Sequence, residues 1–160
     1  MAQRTKTRRT FRVSAVGAAA AVLLLAGCGD SDDAGDSGDE NSIDVSLSEW
    51  SVEATGSASA GSVVVNATND GGETHELVVV RADSADGWTQ DETGFVQEDQ
   101  FAEGDLIGEI EEFDAGTTES ATFELDAGSY VLFCNIVEEE ADGTYESHFN
   151  NGMVTTIEVS

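Results

Sequence analysis

From Ser42 to Ser160 the apolar side chains fall in short runs, many of them β-branched, and turn signals cut the runs off early. Val45 and Leu47 alternate with polar neighbours, and Trp50 and Val52 do so in the opposite phase. The slip at Glu49 predicts a β-bulge within one strand over Asp44–Ala54. Val63–Thr68 leads into Asn69-Asp70-Gly71-Gly72, a strong turn signal. Glu76–Arg81 is nearly all apolar, the pattern of a strand buried on both faces. Ala121, Phe123 and Leu125 point inward against Thr122 and Glu124, Asp126–Ser129 is a turn, and Tyr130–Phe133 is another apolar run. Met153, Thr155, Ile157 and Val159 share the face of a last strand. Between these runs, Asp83–Gly104 is acidic and irregular, an excursion holding Trp88, Phe95 and Phe101 with one helical turn. Strands roughly ten residues apart with glycine-rich turns predict an all-β two-sheet sandwich over 42–160. Apolar residues make up 39% of the chain, enough for a core, and 17 glycines without a period exclude fibrous classes.

The first 41 residues read differently. Five of the six bases (Arg4, Lys6, Arg8, Arg9, Arg12) precede an apolar run over Val13–Ala26, which is shorter than the roughly 20 residues a membrane span needs. A basic head, a short apolar stretch and small residues describe an export signal over 1–27. Leu25-Ala26-Gly27-Cys28 resembles the lipobox of bacterial lipoproteins, in which the signal is cut before the cysteine and that cysteine is acylated. Arg8-Arg9-Thr10-Phe11 also resembles, more weakly, a twin-arginine export signal. Residues 28–41 then form an acidic linker. Gly29–Asn41 has six acids in thirteen residues and no apolar side chain beyond Ala34, so it reads as a disordered, solvated tether. Removing the leader leaves Arg81 as the only base against all 33 acids. Such a surface repels phosphate backbones and anionic lipid heads, which excludes nucleic acid as a partner and calls for a basic one. Contact with the membrane is expected through the lipid on Cys28 alone, on the outer face of the cytoplasmic membrane, with the protein a monomer.

Apart from Met1 and Cys28, the soft metal-binding side chains are Cys134, His75, His148 and Met153. Each sits at the edge of a predicted strand. His75 opens the strand after the 69–72 turn, Cys134 closes Tyr130–Phe133, His148 lies in the loop that follows, and Met153 opens the last strand. A strand up, a loop and a strand down put Cys134 and Met153 at one rim, where the turn before His75 can also lie. Alternation points His75 inward with Leu77 and Val79, and Met153 inward with Ile157. One thiolate, two imidazoles and a weak thioether are the donor set of a blue-copper electron-transfer site. Singly, each residue has a plainer reading: a buried thiol, a packed thioether, surface imidazoles.

Three segments carry a family likeness: Asn69-Asp70-Gly71-Gly72-Glu73-Thr74-His75-Glu76-Leu77, Ala127-Gly128-Ser129-Tyr130-Val131-Leu132-Phe133-Cys134-Asn135, and His148-Phe149-Asn150-Asn151-Gly152-Met153. In them the chain resembles a small cupredoxin of the plastocyanin/azurin type, and most of all membrane-tethered members such as the halocyanins. The resemblance spans about 43–160, with Asp83–Gly104 the least familiar stretch, and it implies an all-β Greek-key sandwich or barrel. It implies copper held by His75 Nδ1, Cys134 Sγ, His148 Nδ1 and, more weakly, Met153 Sδ, and the gap between His148 and Met153 suits the family. Two features depart from it. Thirteen residues separate Cys134 from His148 where the family has only a few, and they bring Glu138, Glu139 and Glu140, any of which could compete for the metal. A glutamate, Glu76, follows the first histidine where a small polar residue is usual.

The leading expectation is an extracytoplasmic electron carrier cycling Cu(I)/Cu(II) with a basic redox partner. The alternative is a copper storage or delivery protein with the same ligands and no redox cycle, and a third reading is a metal-free adhesion or binding sandwich. An enzyme is not expected. No Gly-x-Ser-x-Gly elbow or phosphate loop occurs, and two histidines bound to copper leave no spare base.

Overall fold

The computed structural model describes residues 41–160; the predicted signal segment, Cys28 and all but the last residue of the linker lie outside them. Ten strands and one short helix follow in order: β1 (Ser42–Ser48), β2 (Ser51–Gly56), β3 (Gly61–Asn69), β4 (His75–Arg81), β5 (Leu106–Phe113), β6 (Thr118–Leu125), β7 (Gly128–Phe133), β8 (Val137–Glu139), β9 (Tyr145–Ser147), α1 (His148–Asn151) and β10 (Val154–Val159). One sheet runs β2-β1-β3-β6, the other β10-β7-β4-β5, and β8 pairs with β9 in a separate hairpin. β1 and β3 are parallel, and every other pair is antiparallel. The result is the expected all-β sandwich, and it does not close into a barrel.

The core between the sheets is built from alternating positions along their strands. Val45, Leu47, Val63 and Val65 from the first sheet meet Leu77, Val79, Leu132 and Tyr130 from the second, all 1% exposed or less. The second sheet is buried on its other face as well. There Val78, Val80, Val131 and Phe133 pack under Val96, Trp88, Phe101 and Phe149. This second layer explains the unbroken apolar runs of β4 and β7. It also gives the 83–104 excursion a purpose: Trp88 packs edge-on against Phe101 (4.8 Å) and Phe133 (5.3 Å) as the lid of that face. The helical turn expected within it is a single 3-10 turn over Glu98–Gln100.

Three details differ from the sequence reading. The phase slip at Glu49 is a two-residue turn, not a bulge: Ser48 pairs with Ser51 and the chain folds back from β1 into β2. Trp50 takes φ 69° there, in the left-handed region that bulky side chains seldom adopt. β5 was not expected, because only Ile110 and Phe113 of its eight residues are buried and its register against β4 shifts twice. Finally, the long connection between Cys134 and His148 is not bare loop but carries the β8–β9 hairpin.

Candidate metal centre

The ends of three chain segments meet at one rim of the sandwich. The first is the 70–74 turn leading into His75. Asn69 is fully buried and shapes it, donating to the carbonyls of Glu73 (2.8 Å) and Phe113 (3.2 Å) while its side-chain oxygen accepts from Gly71 N–H. The second is the end of β7, where Phe133 pairs with Val78 and Cys134 follows. The third is α1. Its N-cap Ser147 accepts from the Asn150 N–H, and it closes on Gly152 at φ 116°, where a Cβ would stand 3.0 Å from the Trp50 carbonyl. That left-handed cap suits glycine.

The three strongest sequence candidates converge there. His75 Nδ1 lies 3.2 Å from His148 Nδ1, and Cys134 Sγ lies 3.4 Å from the same nitrogen. One donor atom from each of the three sits within 4.8 Å of the others, and all three residues are 0% exposed. Met153 is equally buried and belongs to the same core cluster as Cys134. Its backbone carbonyl accepts from Cys134 N–H (3.1 Å) and its N–H donates to the His148 carbonyl (3.0 Å). Cys28 lies outside the described residues.

The donor set fits a first-row metal ion. Ligands about 2.0–2.3 Å from one such ion stand about 3–4 Å from each other, close to the spacing already present. Burial pushes the Cys134 thiol up to about 12, so it keeps its proton until a cation takes its place. Burial, and then the neighbouring His148, lowers the basicity of His75, leaving a neutral ring with a free lone pair.

Several residues that sequence reasoning did not single out surround these donors. Glu49, at the β1–β2 turn, accepts from the N–H groups of Gly72 (2.7 Å) and Glu73 (2.9 Å), and these bonds hold its carboxyl below the usual range. So anchored, its Oε1 stands 3.7 Å from His75 Nε2. Gly71 makes room for this contact, since a Cβ there would come within 2.6 Å of Glu49 Oε1 and 2.9 Å of His75 Nε2. A carboxylate behind the outer nitrogen of a ligating histidine selects its tautomer and orients the ring. Trp50 packs edge-on against His148 at 5.4 Å and covers it. The only hint of Glu49 and Trp50 in the sequence was the phase slip itself.

Glu76 reaches across to accept from Asn135 N–H (3.1 Å), next to Cys134, and burial followed by repulsion from Glu109 raises it to about 7. Of the three hairpin carboxylates, only Glu138 approaches a candidate donor, forming a group with Glu73 and His148 that excludes Cys134. Glu139 and Glu140 belong to neither group.

No protein-family model matches the chain, and no curated protein matches its sequence. Solved structures do match its fold. Sodium-dithionite-reduced auracyanin from the photosynthetic bacterium Roseiflexus castenholzii superposes with TM-score 0.53 at 17% identity, over 77% of this chain and 99% of that one. Auracyanin A, a "blue" copper protein from the green thermophilic photosynthetic bacterium Chloroflexus aurantiacus, superposes with TM-score 0.52 at 17% identity, over 74% and 98%. The chain therefore has a cupredoxin fold, with a buried His-Cys-His group positioned for a metal at its rim.

Proposed function

We infer that this protein is a one-electron carrier that holds a single copper ion between His75 Nδ1, Cys134 Sγ and His148 Nδ1, with Met153 Sδ as a weaker fourth donor. One observation carries the reading: three donors of this chemistry, from segments far apart in the chain, meet at 3.2–3.4 Å with no exposure to solvent. Bound there, copper would supply a Cu(I)/Cu(II) couple. The chain supplies constraint. Glu49 stands 3.7 Å behind His75 Nε2, where its charge favours the ring proton on that nitrogen and so frees Nδ1, the Ser147 and Gly152 caps fix the His148 backbone, and Trp50 with the buried rim excludes water. Holding the donors still limits rearrangement between oxidation states and leaves no open position for substrate. The similarity in fold to a protein described as a "blue" copper protein supports the reading.

The chain is read as an export signal (1–27), a Cys28-anchored acidic linker (28–41) and an electron-carrying domain (42–160) on the outer face of the cytoplasmic membrane. Among the described residues no helix is long and apolar enough to cross a membrane. The excess of carboxylates supports a redox partner with a basic surface, and association with it should slow as ionic strength rises. Voltammetry of the copper-loaded protein separates this reading from storage or delivery. A carrier gives a reversible one-electron wave and keeps its copper through repeated cycles. Loss of copper to a Cu(I) chelator at each reduction would favour delivery.

A further inference from the structure

His148 presents a second nitrogen to a second set of ligands. The residue is fully buried, yet its Nε2 has no hydrogen-bond partner among the described residues. The nearest charged group is Glu73 Oε2 at 3.7 Å, an atom that is also buried and partnerless. Glu138, from the exposed strand β8, completes the group: one ligand atom from each of Glu73, Glu138 and His148 lies within 4.8 Å of the other two.

His148 Nε2 and Glu73 Oε2 are thus two buried polar atoms without a partner, 3.7 Å apart, with the Glu138 carboxylate beside them. A cation held between the imidazole nitrogen and the two carboxylates would satisfy all three. One imidazole and two carboxylates suit Cu(II) or another divalent ion better than Cu(I).

We propose that Glu73, Glu138 and His148 Nε2 form a capture site for Cu(II) in the metal-free protein, from which the ion passes to the inner donors. The inference rests on the copper reading above. The two sites exclude each other through one ring. To serve the inner site His148 gives up its Nδ1 proton and takes one on Nε2, while the Cys134 thiol releases its proton to solvent. His148 Nε2–H then donates to Glu73, and the outer site closes. No electron moves in this transfer.

The test mixes the copper-free protein with micromolar Cu(II) chloride in a stopped-flow instrument and follows the thiolate-to-copper absorption. Glu73→Gln/Glu138→Gln should slow loading about tenfold, the size expected when local capture of a cation is lost, and reach the same final absorption. Glu139→Gln/Glu140→Gln removes equal charge from the same hairpin and should load within about twofold of the unaltered protein. Equal rates for the two double variants overturn the proposal. A second arm disables the inner site with His75→Gln/Cys134→Ser. That protein should keep one equivalent of Cu(II) with a nitrogen-and-oxygen spectroscopic signature and lose it when Glu73→Gln/Glu138→Gln is added. Retention of the copper after the addition, or none bound before it, also overturns it. Absence of any thiolate-to-copper absorption in the unaltered protein is a separate result that overturns the copper reading itself, and this inference with it.

Discussion

Two connections carry the chain through the candidate metal centre, and they are built in opposite ways. From His148 to Met153 the path is one capped turn, closed by Ser147 at one end and Gly152 at the other. From Cys134 to His148 the path is thirteen residues long and leaves the sandwich as an acidic hairpin with Glu138, Glu139, Glu140 and Asp142 exposed. Yet the long path is as firmly held at its roots as the short one. Asn135 is 1% exposed, accepts from Val96 N–H (2.8 Å) and donates to the Val96 carbonyl (3.1 Å), clasping the 83–104 excursion. Ser147 donates to the Gly94 carbonyl (2.9 Å) at the other root. The comparison teaches that placing the donors requires fixed ends, not a short loop. The excursion does for the long connection what capping does for the short one.

The largest effect should come from cutting a root. Asn135→Ala leaves the N–H and carbonyl of buried Val96 without partners, so denaturant unfolding should show a loss of about 3–5 kcal/mol. Next is Glu76, which holds the Asn135 N–H. Its folded-state value of about 7 lies above the unfolded value of 4.5, so the unfolded chain loses that proton first as pH rises. The metal-free protein should lose stability between pH 4.5 and 7, on the order of 2–3 kcal/mol, with no further loss from this group above that window. Glu76→Gln keeps an acceptor for Asn135 and should flatten the slope, matching the unaltered protein at pH 4 and exceeding it at pH 8. An unchanged slope would remove Glu76 from the account.

On the short connection, Gly152→Ala places a Cβ in left-handed backbone against the Trp50 carbonyl and should cost about 2 kcal/mol in the same unfolding measurement. The smallest effect belongs to the tip of the hairpin. Replacing 140–144 with Asn-Gly should change stability by less than about 0.5 kcal/mol, because this segment is exposed and buries nothing. A larger loss would mean that the tip, and not only the roots, sets the geometry.

The legible parts of this molecule were those where one physical rule acts alone. Alternation placed the inward residues of β1, β6 and β10, and the apolar runs of β4 and β7 announced a sheet covered on both faces. His75, Cys134 and His148 could be grouped because soft donors at strand ends are few in so acidic a chain. What stayed hidden depended on tertiary contacts. The Glu49-Trp50 turn carries no glycine or asparagine, and its φ of 69° at Trp50 occurs in a ring packed against His148. β5 hides because six of its eight residues are not buried and its pairing with β4 is bulged. Glu49 and Glu73 looked like two more surface acids, and only folding set them behind the histidine rings.

The central claim is that a thiolate and two imidazoles share one copper ion. It is tested most directly by adding one equivalent of Cu(II) to the metal-free protein and recording its visible spectrum beside that of Cys134→Ser. The account predicts an intense thiolate-to-copper band that bleaches on reduction, returns on reoxidation and is missing from the folded variant. A folded, unaltered protein that takes up copper without that band, or a variant that keeps it, would contradict the account.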